Sequence, residues 1–100
     1  MNHDSYHFFN VISNKTRWTI INALYSSDMC VNEISSITKI EQSKVSHALK
    51  TLSDCNIVFK KRLGKKIIYT LNKQTIVPIL KILDKHQNNY CKGNCKLCTK

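Results

Sequence analysis

The sequence predicts a mainly α-helical fold that carries one β-hairpin, and three observations predict it. Residues 41–52 place Val45, Ala48, Leu49 and Leu52 at i, i+3, i+4 and i+7, one apolar stripe of an α-helix. Residues 58–71 read as two short strands around a turn at Leu63-Gly64. A chain of 100 residues with two glycines, one proline, no internal repeat and no low-complexity stretch suits one domain with a modest core and little linker.

The elements follow in chain order. Asp4 or Ser5 is placed to cap a short first helix bearing Tyr6, Phe8, Phe9 and Ile12, because short oxygen-bearing side chains satisfy the free N–H groups of a first turn. A second helix is predicted from Lys15 to Ser26, with Trp18, Ile21 and Tyr25 beside Ile20 and Leu24 on its buried side. Ser26-Ser27-Asp28 breaks that pattern. A third short helix, Asn32 to Thr38, turns Ile34 and Ile37 inward, and Ile40-Glu41 leads into the fourth. Asn56 then stands where a left-handed C-cap residue is wanted, a role Asn fills second to Gly.

The last helix, Thr75 to Asn89, spreads Ile76, Val77, Ile79, Leu80, Ile82 and Leu83 around most of its circumference. A helix packed on one side shows a narrower stripe, so burial on two sides is expected, once against its own domain and once against a second copy of the chain. Pro78 lies close enough to the start of this helix to be tolerated.

The polar face of the fourth helix carries Gln42, Ser43, Lys44, Ser46, His47 and Lys50. Short hydrogen-bonding groups with a few cations match base edges and phosphates in a major groove that admits a helix. On its own such a face is more often plain solvated surface. The hairpin tips the balance, because Lys60, Lys61, Arg62, Lys65 and Lys66 gather near its tip and no acid is interspersed. A basic run repels itself and calls for an anionic partner, so phosphate contact beside a groove-reading helix is the better reading.

Charge points the same way. The chain carries 16 Lys and Arg against 6 Asp and Glu, a formal net charge of +10. Residues 1–50 hold five cations against four acids, and residues 51–100 hold eleven against two. That asymmetry favours nucleic acid first and an anionic membrane surface second. No apolar run approaches a spanning helix and the start Met-Asn-His-Asp lacks a signal-peptide core, so a cytoplasmic protein without membrane association is expected. The chain shows no nucleophile–base pair, carboxylate pair or phosphate-cradling loop, which argues against an enzyme.

Five cysteines in a reducing compartment point to metal or thiol chemistry before structural disulfides. Cys91, Cys95 and Cys98 fall within eight residues, joined by Gly93-Asn94, and form a chelating tail. Thiolates select soft ions, here zinc, cadmium, copper(I), an arsenite-type metalloid or an iron–sulfur cluster. Lys92 and Lys96 favour the thiolate form. Three thiolates complete a pyramidal metalloid site. Zinc or a cluster wants a fourth ligand, for which Cys30, Cys55 and His86 are the candidates. Cys55, beside an apolar strand, also reads as a small core residue. The division expected is a DNA-binding and dimerisation domain over residues 1–90 and a cysteine-rich tail over 91–100.

The run from Gln42 to Leu52, with its Gln-Ser, Val-Ser-His, Leu and Lys, resembles the recognition helix of the ArsR/SmtB winged helix-turn-helix repressors. Residues 62–71 are similar to that family's wing, and Asn14-Lys15-Thr16-Arg17 with Ile20-Ile21 to the start of its second helix. The resemblance implies a winged helix-turn-helix of about five helices, a homodimer formed through the first and last helices, and an operator of double-stranded DNA released when a metal or metalloid binds. The family's sensing sites are eroded here. Around Cys30, Asn32 takes the place of the motif's second cysteine, and the zinc positions of the last helix fall on Lys73, Thr75, His86 and Asn89. Control is therefore expected at the cysteine tail, with two alternatives: a thiol–disulfide redox switch, or a structural zinc tail on a nucleic-acid-binding protein. A metal that is needed for DNA binding, instead of releasing it, is the inverse arrangement.

Overall fold

In the computed structural model, which describes residues 3–90, the chain forms α1 (His3–Ile12), α2 (Lys15–Ser26), α3 (Val31–Thr38), α4 (Gln42–Asp54), β1 (Val58–Leu63), β2 (Lys66–Leu71) and α5 (Ile76–Tyr90). The cysteine tail lies outside the described residues. The expected bounds of α2 match. α1 begins at His3, so Asp4 and Ser5 are helical residues and not caps. α3 starts at Val31, one residue earlier than expected.

Apolar side chains decide the packing. Ile20 and Ile21 of α2, Ile34 of α3, and Val45, Leu49 and Leu52 of α4 are fully buried, as α2, α3 and α4 pack against one another. Ile57, Val58 and Leu71 close the core from the hairpin, Ile76 and Leu80 from α5, and Val11 and Ile12 from α1. Each such side chain stabilises the fold by about 1.5–3 kcal/mol relative to exposure. Ile37, expected inward, is instead 61% exposed. It stands three residues beyond Ile34, roughly 60° further round the helix.

Local hydrogen bonds fix the corners. Asn14 caps α2 by accepting from the Arg17 N–H at 3.1 Å. Between α3 and α4, Ser35 Oγ donates to the Ile40 carbonyl at 2.6 Å and Thr38 Oγ1 to the Ile34 carbonyl at 2.7 Å, while Lys39 takes a left-handed φ of 63°. These bonds set the angle at which α4 leaves the turn. After α4, Asn56 has φ 58°, the left-handed geometry its sequence position implies.

β1 and β2 pair antiparallel from Val58↔Leu71 to Leu63↔Lys66. The two-residue turn is therefore Gly64-Lys65, one position beyond the one expected, and Gly64 supplies the positive φ of 63° at its first central residue. Met29 pairs with Tyr69 in both directions, at 3.2 and 2.8 Å, and ties the base of the hairpin to the segment before α3. Asn72 closes the hairpin on its other side. Its N–H donates to the Ile57 carbonyl and its Nδ2 to the Asn56 carbonyl, at 2.9 and 3.0 Å, while its Oδ1 accepts from Gln74 and Thr75.

The Asn56 conformation carries a prediction. Asn56→Gly is expected to be neutral or slightly stabilising, whereas Asn56→Val should lose about 1–2 kcal/mol, because a branched side chain clashes in the left-handed region. Urea midpoints of the two variants check it. A Val variant as stable as the parent refutes this account of the cap.

Candidate nucleic-acid interface

The stripe that buries Val45, Ala48, Leu49 and Leu52 leaves the opposite side of α4 in solvent. Gln42, Ser43, Lys44, Ser46, His47 and Lys50 are all exposed. Ser43 Oγ donates to the Glu41 carboxylate at 2.9 Å. Lys50 lies 3.8 Å from Asp54 one turn on, a solvent-exposed pair that contributes little and leaves the ammonium free to exchange partners. The structure thus places all six helix residues of the sequence reading on one accessible face.

The hairpin register distributes its cations. Directly paired residues share a face, so Lys60 and Arg62 stand with Tyr69 and Ile67, while Lys61 and Lys66 stand with Ile68 and Leu63 on the other. Lys65 occupies the turn. All five cations are exposed, and among the described residues none lies within ion-pair distance of a carboxylate. Arg62 Nε donates to the Gly64 carbonyl at 3.4 Å. Positive charge accordingly surrounds the hairpin instead of coating one side. Leu63 and Ile67 add exposed apolar surface near the tip, 56% and 43% accessible.

Cys30 sits at the N-cap of α3, half-buried, and its N–H donates to the Glu33 carboxylate at 3.0 Å. That bond, then the Cys30 thiol, and more weakly the Lys66 charge hold the Glu33 carboxyl below its ordinary value against a small opposing desolvation. Cys55 caps α4 and packs against the core, as its apolar neighbours suggested. His86 is exposed on α5 with its ring 5.3 Å from that of Tyr90. Among the described residues, no three of His, Cys, Asp and Glu are grouped to hold a metal ion. Cys30, Cys55 and His86 therefore form no site by themselves, and the three tail thiols lie outside the described residues.

Apolar surface remains on two helices. Tyr6 and Phe9 of α1 and Ile82, Leu83 and Tyr90 of α5 are exposed. Phe9, Ile12, Trp18, Ile79 and Leu83 line a groove between them. α5 buries Ile76 and Leu80 against its own domain and leaves Ile82 and Leu83 exposed. No helix among the described residues is long and apolar enough to cross a membrane.

A helix, a fixed turn and a second helix with an open polar face, followed by a basic hairpin, make a winged helix-turn-helix domain, and that is the class to which this fold and surface belong. The family model of the bacterial regulatory proteins of the arsR family matches residues 14–60. The transcriptional repressor SdpR of Bacillus subtilis is 33% identical over 64 residues, which are 64% of this chain and 71% of that protein. A transcriptional repressor SmtB homolog of Synechocystis sp. is 25% identical over 79 residues, 79% of this chain; the match spans 60% of that relative's length. The homodimeric winged helix-turn-helix DNA-binding domain Mb0332 from Mycobacterium bovis shares the fold, with a TM-score of 0.72, 14% identity and coverage of 94% of each chain. The chain belongs to the arsR family of bacterial regulatory proteins.

Proposed function

We propose that the protein is a homodimeric transcriptional repressor that binds a short inverted-repeat operator and is controlled by a soft metal, metalloid or iron–sulfur cluster at its cysteine tail. The observation that carries the DNA part is the open face of α4 beside five cations that lack ion-pair partners among the described residues. A major groove about 12 Å wide accepts a helix, and cations on both faces of the hairpin can meet the phosphates on either side of a groove. Gln42, Ser43, Ser46 and His47 take the base edges in this reading, and Lys44, Lys50 and the hairpin cations the backbone.

The dimer is supported by the apolar surface of α1 and α5 and by the groove between them, which a second copy covers by the same two-fold contact that sets two α4 helices about one duplex turn apart. The repressor role is supported by the two relatives, a transcriptional repressor SmtB homolog and the transcriptional repressor SdpR. The control site rests on donor chemistry. Cys91, Cys95 and Cys98 supply three thiolates directly after α5, and His86, one turn before its end, is accessible as a fourth ligand beside Cys30 or Cys55.

Operator binding by protein purified without oxygen, titrated with zinc, cadmium and arsenite, tests the reading. At least one ion is expected to change operator affinity by roughly 5–150-fold, the usual range of coupling between two sites, and Cys91→Ser/Cys95→Ser/Cys98→Ser should abolish that response while binding DNA as the parent does. A metal-free sample that releases operator on oxidation and rebinds it with a thiol reductant makes the tail a redox switch. Footprints without a preferred sequence leave a structural tail on a non-specific nucleic-acid binder.

A further inference from the structure

Ser43, Lys44 and His47 of α4 face Asn14, Thr16 and Arg17 of the first turn of α2 across an open cleft of about 290 Å³. Cations from two separate helices enter this one concavity, and no carboxylate lines it. Glu41, at the head of α4, has its carboxylate engaged by Ser43 Oγ at 2.9 Å. Arg17 is pinned in place, because its Nη1 donates to the Val11 carbonyl at 3.2 Å and anchors one edge of the guanidinium at the corner between α1 and α2. A guanidinium held by one edge still offers the rest of its donor fork, the geometry that suits a phosphate. Like charges brought together by rigid elements repel, and an anion between them relieves the repulsion. Ala48 lines the cleft with a single methyl group, which leaves room beside α4.

We infer that this cleft is a phosphate site, which holds one phosphodiester of the duplex next to the groove that α4 enters. The inference rests on the DNA-binding reading above and adds Thr16 and Arg17 to its contacts. Its lining includes no hairpin residue. The domain is then held to the backbone at two independent points, and two points fix the tilt of α4 in the groove where one leaves it free to rotate.

Thr16→Glu is the discriminating variant. A carboxylate in the first turn of α2 favours the helix, so the fold is kept, yet it places negative charge in the cleft. With the full chain, and with the operator and an unrelated duplex compared by fluorescence anisotropy across a salt series, Thr16→Glu is expected to weaken both by the same factor, about tenfold or more, and to lower the slope of log K against log salt by about 0.9, the value of one phosphate. Arg17→Gln should lower the slope by the same amount, with the denaturation midpoint reporting any loss from the Val11 bond. Parent-like affinity and slope for Thr16→Glu, or a loss confined to the operator, overturns the phosphate site while leaving the DNA reading intact. A parent protein that binds neither duplex overturns both.

Discussion

Leu49→Ala is expected to remove about 2–5 kcal/mol of stability, the cost of deleting a fully buried side chain and leaving a cavity. Small domains hold about 5–15 kcal/mol in total, so a large part of the chain's reserve rests on this residue. The effect is large because Leu49 lies in the middle of α4, on the stripe that presses the exposed face outward, with Val45 and Leu52 fully buried on either side of it. DNA binding should fall with the folded fraction and recover when the temperature is lowered enough to restore it. Urea unfolding measures the change as a shifted midpoint at constant slope. A loss under about 1 kcal/mol would show that the core repacks around the gap, and would remove the claim that Leu49 holds the reading face in place.

The second large effect concerns charge. Replacing Lys60, Lys61, Lys65 and Lys66 together by Ala should weaken operator and random duplex alike, roughly a hundredfold or more at moderate salt, and lower the salt slope by about 2–4. Stability should change little, since all four side chains are exposed and none has an ion-pair partner among the described residues. Ser46→Ala, on the same exposed face but outside the phosphate cleft, supplies the contrast. One lost base contact costs about 1–3 kcal/mol of discrimination, so operator binding drops while random binding hardly moves. If the four-lysine variant keeps its salt slope, the hairpin does not touch phosphate.

The contrast also shows what the sequence could carry. The α4 stripe was legible because four apolar residues over two turns fix both the helix and its buried side. Asn56 was legible because few residues suit a left-handed cap. Ile37 was misjudged because α3 has eight residues, and one inward residue on so short a helix does not fix the angle of the next. The turn was displaced by one residue because alternation specifies two strands but not which pair closes them; the positive φ of Gly64 makes that choice. In the sequence Thr16 and Arg17 read as the start of a helix and not as part of a site. Periodicity describes one helix at a time, and their cleft exists through the angle between α2 and α4. A weak signal was present nonetheless, in the Asn14 cap followed directly by Lys15, Thr16 and Arg17.

Asn72 has a consequence for how such domains can diverge. Its bonds to Asn56 and Ile57 join points 16 and 15 residues apart in sequence, so the hairpin between them leaves the body and returns to the same spot. Closure entropy grows with the logarithm of such an excursion, and doubling its length costs only about 0.6 kcal/mol. The outer part of the hairpin, exposed from Phe59 to Ile67, is therefore interchangeable. Its reach and charge can be rewritten around Gly64 while Val58 and Leu71 stay in the core and Tyr69 stays bonded to Met29, so the base held by the clasp at Asn72 sets where a new tip can begin and end.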